Sequence, residues 1–93
     1  RKAAELAPDS AAVLDTLALV EYASKDYDQA QSNILRALKS APDDPSIRYH
    51  SAKIAAALKD NATARATLEK LLAANPKFPE VAEAKALLAK LKK

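Results

Sequence analysis

Apolar positions recur at helical spacing in five stretches of this chain. In the first, Val13, Leu14, Leu17, Ala18 and Val20 form one face of a helix. The segment "SKDYDQA" interrupts it, and Asp26, followed three residues later by Gln29, predicts a capping box that opens a second helix. The inward face of that helix is expected to be Ala30, Ile34, Leu35, Ala37 and Leu38. In "DDP", Asp44 is placed to cap a third helix and Pro45 suits its first turn, where a missing N–H costs nothing. Ile47, Ala52, Ile54, Ala55 and Leu58 make its apolar face, and "KDN" ends it. Ala64, Leu68, Leu71 and Leu72 mark a fourth helix. A fifth is expected over 79–91, with Val81, Ala84, Leu87, Leu88 and Leu91 on one side.

The breaks between these helices fall at a fixed interval. Pro8, Pro42 and Pro76 are each 34 residues apart, and the same shift superposes Lys25-Asp26 on Lys59-Asp60, Ala30 on Ala64, Ile34 on Leu68 and Ala18 on Ala52. A period of this length in a helical chain is the mark of a repeat array, in which each helical pair buries its apolar face only against its neighbours. The expected organisation is the end of a preceding repeat helix at 1–8, one unit at 9–42, a second at 43–76, and a capping helix at 77–93.

Composition supports an all-α class. Apolar residues are 49% of the chain, mostly Ala and Leu, with no Gly and with Phe78 and three tyrosines as the only aromatic residues. The absence of Cys removes disulfides, thiolate metal sites and a Cys nucleophile, and leaves the compartment open between cytoplasm and periplasm. No apolar run approaches the roughly 18 residues of a membrane span. The chain begins at Arg1 without Met, within what reads as the end of a helix, and is expected to be a piece of a longer protein. The net charge of +3 belongs to residues 77–93, where five lysines face Glu80 and Glu83. Cations near a helix C-terminus offset the macrodipole, which accounts for the basic end without nucleic-acid binding.

Candidate chemistry is sparse. His50 is the only histidine, and no Gly-rich phosphate loop is present. The acidic clusters, Asp43-Asp44 and Asp26 with Asp28, sit where helix capping explains them. Without a convergent set of polar groups neither catalysis, a cofactor nor a metal site is expected. His50 is expected as a solvated or hydrogen-bonded surface residue. Tyr49 is expected to be exposed, because Ile47, Ala52 and Ile54 already supply an inward face.

The 34-residue helix–turn–helix period resembles the tetratricopeptide repeat family. Its pattern of a large residue, Leu, a small residue and Tyr, then Ala, a large apolar residue and a closing Pro, is met by Leu14, Leu17, Ala18, Glu21, Ala30, Ile34 and Pro42, and by Arg48, Ser51, Ala52, Ala55, Ala64, Leu68 and Pro76. The first helix of the second unit matches poorly. Lys25 and Lys59 stand where the family often has a glycine of positive φ. Either the turn is built differently here or a lysine bears a strain of roughly 1 kcal/mol.

The resemblance implies a TPR-type α-solenoid that acts as a protein–protein interaction scaffold, holding a peptide or partner helix in a concave groove lined by the first helix of each unit. The groove residues it implies are Asp15, Leu19, Tyr22, Tyr49, His50 and Lys53, with Ala12, Ala23, Ser46, Ala56 and Ala57 beside them. Asp15 and Leu19 stand where carboxylate-binding members of the family need Lys and Asn, which disfavours a chaperone-tail ligand. The rival expectation is a structural C-terminal cap of a longer superhelix whose binding site lies upstream. Residues 45–93 also resemble the end of bacterial TPR lipoproteins associated with exosortase sorting, in "IRYH" and "FPEVAEAKALLAKL", which would place the protein at the cell envelope or in the periplasm. An uncovered apolar face at the upstream end predicts dimerisation through that face.

Overall fold

The computed structural model describes residues 10–75 and 77–92, which form five α-helices and no strand among the described residues. They are α1 (Ala11–Ala23), α2 (Tyr27–Ser40), α3 (Pro45–Ala57), α4 (Asn61–Ala74) and α5 (Val81–Leu91). The expected end of a preceding helix at 1–8, with Pro8, and also Pro76, lie outside the described residues. The last helix begins at Val81, two residues later than expected. Lys77–Glu80 instead make a turn in which Val81 N–H donates to the Phe78 carbonyl at 3.0 Å.

Helices α1 and α2 pair as one hairpin and α3 and α4 as a second; α2 packs on α3, α4 on α5, and the first helices α1, α3 and α5 run side by side. This is an all-α helical-repeat arrangement. No described helix is long and apolar enough to cross a membrane.

The two hairpin turns are built alike, and each forces a lysine into the left-handed region: Lys25 has φ 67° and Lys59 φ 70°. In the first, Lys25 N–H donates to the Tyr22 carbonyl at 3.0 Å and Asp26 N–H to the Glu21 carbonyl at 2.8 Å. In the second, Lys59 N–H donates to Ala56 at 3.0 Å and Asp60 N–H to Ala55 at 2.9 Å. This pair of bonds is the Schellman ending of a helix, which needs a left-handed residue and satisfies otherwise orphaned carbonyls. A helix ending that favours glycine is therefore built here on lysine, which bears the left-handed conformation.

Starts of helices are less uniform than the sequence pattern suggests. Asp44 Oδ1 accepts from Ser46 N–H at 3.0 Å and Ile47 N–H at 3.2 Å, as expected. Asp60 accepts from Thr63 N–H at 3.3 Å. Asp26 occupies the cap position of α2 but makes no side-chain capping bond, so the capping box with Gln29 does not form.

Burial follows the 34-residue register closely. Ala18 and Ala52, Ala30 and Ala64, Ile34 and Leu68, and Ala37 and Leu71 are all fully buried. The small alanines let helix axes approach, and the larger residues fill the space beside them. Helix α3 divides its side chains between two cores: Ile47 and Ile54 join Leu14 and Ile34, while Tyr49, Ala52 and Ala55 join Leu68, Leu71 and Ala84. Two inward assignments are corrected. On α1 only Leu14 and Ala18 are buried, while Val13, Leu17 and Val20 lie on an uncovered face. On α2, Leu35 is about half exposed where an inward position was expected.

Candidate functional site

Because α1, α3 and α5 lie side by side, side chains at corresponding registers meet along one groove. It holds a cavity of about 490 Å³ whose lining includes Tyr22, Tyr49, Lys53, Lys59, Asn61, Leu87, Lys90 and Leu91. The Lys53 Nζ stands 4.9 Å from the Tyr22 ring centre and 6.0 Å from that of Tyr49. Both distances fall within cation–π range, so the two rings fix the ammonium group in place. Tyr22 is itself held by Tyr27 at the hairpin turn, their rings 5.5 Å apart and tilted by 57°.

Three ammonium groups line this cavity and no carboxylate does. Glu83 lies close enough to act on Tyr49. Burial, then the Glu83 carboxylate, the Tyr22 phenol as it ionises and the Glu80 carboxylate, raises the Tyr49 phenol above its ordinary value. Burial, followed by Tyr27, raises that of Tyr22. Both phenols are therefore neutral hydrogen-bonding groups at pH 7. The arrangement offers apolar surface and a positive potential to a ligand.

Beside the cavity, a polar chain ties three helices together. His50 Nδ1 lies 2.7 Å from Asp15 Oδ1, and the carboxylate there calls for a proton on that nitrogen. On the far side of the ring, His50 Nε2 is 3.9 Å from Glu80 Oε2, and Ser46 Oγ donates to Glu80 Oε1 at 2.8 Å. His50 is buried, not the surface residue expected from sequence, and Tyr49 at 7% exposure is also buried, not exposed. The cause is common to both: α3 has helices on each side, so it has no single outward face. The ring nitrogen opposite Asp15 faces a carboxylate, while the Ser46 hydroxyl is already engaged with Glu80. The chain is thus built as a latch between α1, α3 and the start of α5. Asp15 and Glu80 flank opposite ring nitrogens, and no three metal-ligating side chains converge among the described residues.

Of the six candidate residues, Tyr22, Tyr49 and Lys53 are brought together in the cavity, and Asp15 and His50 are joined in the latch. Leu19 is half-buried and does not line the cavity. Sequence reasoning missed Lys59, Asn61, Leu87, Lys90 and Leu91. A signal for three of them was present: a further step of 34 residues carries Lys53, Ala56 and Ala57 onto Leu87, Lys90 and Leu91. Reading α5 as a cap left these positions out of the groove.

A family model described as tetratricopeptide repeat matches residues 21–91. No curated protein matches the chain.

Proposed function

We propose that this chain, which belongs to the tetratricopeptide repeat family, is a non-catalytic scaffold that holds a peptide segment or partner helix in the groove between α1, α3 and α5. Repeats of this family generally mediate protein–protein interactions. The observation that carries the groove assignment is the cavity itself, where Tyr22, Tyr49, Leu87 and Leu91 supply apolar surface and Lys53, Lys59 and Lys90 surround it with positive charge. A ligand segment matching that surface presents an apolar side chain and at least one carboxylate. Two hairpins and a helix bury little area, so affinity is modest and depends on charge complementarity.

The test is a pull-down from lysate of the native organism, comparing the parent with a Tyr22→Ala, Lys53→Glu, Lys90→Glu variant shown folded by circular dichroism. Loss of a partner from the variant alone supports the groove. Identical partners for both overturn it.

A second reading is favoured by one observation, the uncovered stripe of Val13, Leu17 and Val20 on α1. Such a stripe suits the surface of a superhelix end against which another repeat stacks, and in that reading residues 77–93 close the array as a cap after units at 9–42 and 43–76. The same stripe supports dimerisation through α1, which light scattering across protein concentrations tests; a monomer throughout rules the dimer out. The likeness of "IRYH" and "FPEVAEAKALLAKL" to exosortase-associated lipoproteins extends the reading to a cell-envelope scaffold, and fractionation of the native organism tests that placement.

A further inference from the structure

Among the positions at which the second hairpin departs from the first, Arg48 and Ser51 open onto one cleft. A shift of 34 residues sets Arg48 against Leu14 and Ser51 against Leu17. Leu14 fills the first core completely, at 1% exposure. Its counterpart Arg48 is only half-buried and leaves a cleft of about 420 Å³ where α2, α3 and α4 meet. The walls are Leu35, Leu38 and Pro42 on one side and Thr63, Thr67 and Lys70 on the other, with Arg48 and Ser51 between them. None of these residues lines the groove of α1, α3 and α5.

Charge in this cleft has one sign. Arg48 and Lys70 line it and no carboxylate does. The neighbouring Asp44 has Oδ1 committed to the backbone at the start of α3. No hydrogen bond or ion pair joins the Arg48 guanidinium to any described residue. A guanidinium that lacks a counter-charge is open to a carboxylate, which binds it through two parallel N–H groups. The half-exposed Leu35 beside the cation gives an apolar ligand group somewhere to pack. Functional sites are among the places where a sequence departs from its own pattern, as Arg48 does at the position of the buried Leu14.

We infer that this cleft is a second docking site, for an acidic segment of a partner protein that sets a carboxylate on Arg48, a second near Lys70 and an apolar side chain on Leu35 and Leu38. Binding in this cleft stands or falls independently of the first groove; with both occupied, the protein bridges two ligands on separate surfaces.

The probe is the blocked peptide acetyl-Glu-Leu-Glu-Glu-Leu-Glu-amide, titrated into the labelled protein and followed by two-dimensional NMR. Expected are shifts at Arg48 Nε and at the amides of Ser51, Thr63, Thr67 and Lys70. Affinity should fall about tenfold or more when glutamines replace the peptide's glutamates, or in a Lys70→Glu variant, since each removes charge-assisted hydrogen bonds. Arg48→Leu restores the residue type of the first unit, so it should keep or raise the melting temperature while losing the binding. Shifts confined to Tyr22, Lys53 and Lys90 would overturn the second site while supporting the first. Binding at the cleft that survives Arg48→Leu, or no binding at all, would overturn it outright.

Discussion

Replacing Lys25 and Lys59 with glycine should stabilise this protein, although each substitution removes a side chain and adds backbone freedom. Both lysines are held at φ near 70° by the hydrogen bonds that close their hairpins. A left-handed conformation costs a residue bearing Cβ about 1–2 kcal/mol, and glycine escapes it. Against this, glycine loses about 0.5–1 kcal/mol more backbone entropy on folding. Central values of about 1.5 and about 0.75 kcal/mol leave a net gain of about 0.75 kcal/mol at each turn. The turns lie in separate hairpins, so the gains should add to about 1.5 kcal/mol. For a chain of 93 residues, 1 kcal/mol moves the melting temperature by about 4–8 °C. Thermal and urea unfolding of each single variant and of the pair measures this, with an unchanged urea slope showing that the effect lies in stability and not in compactness. Alanine at the same positions is the decisive control, because it keeps Cβ and should give no gain. Glycine variants no more stable than the parent, or alanine variants as stable as glycine ones, would refute backbone strain at these lysines.

Three further outcomes follow from the same contacts. Asp44→Ala should lower stability by about 1–2 kcal/mol in urea titrations and Asp60→Ala by about 1 kcal/mol, whereas Asp26→Ala, which breaks no side-chain cap, should stay within about 0.5 kcal/mol. A double-mutant cycle of Asp15→Asn and His50→Gln should give a coupling of about 0.5–3 kcal/mol; additive effects would show that the latch between α1 and α3 is not formed. Because Tyr22 and Tyr49 titrate above their ordinary value of 10.0 in the folded chain, their contribution is intact below about pH 10 and is lost as pH rises through the folded values. Tyr49→Phe should therefore narrow the difference in urea midpoint between pH 9 and pH 11 relative to the parent.

Much of this fold was legible before any coordinates. The prolines, the alternation of alanine with leucine, and the Lys-Asp pairs at a 34-residue shift set five helices, their pairing and the close alanine crossings, because helix period and breaker spacing are local properties of the chain. Tyr22, Tyr49 and Lys53 are set in one groove only by the resemblance of that period to the tetratricopeptide repeat family, not by the period itself. Tertiary structure alone decided the rest. Periodicity tells which residues share a face of a helix but not which faces have neighbours. Thus Leu14 is buried while Leu17, one turn along the same helix, is exposed, and α3, covered on both sides, takes Tyr49 and His50 inward. The bond between Asp15 and His50, the wall that α5 adds to the groove, and the cleft around Arg48 all join residues from different helices. Their distances depend on how the hairpins stack, which no single helix encodes.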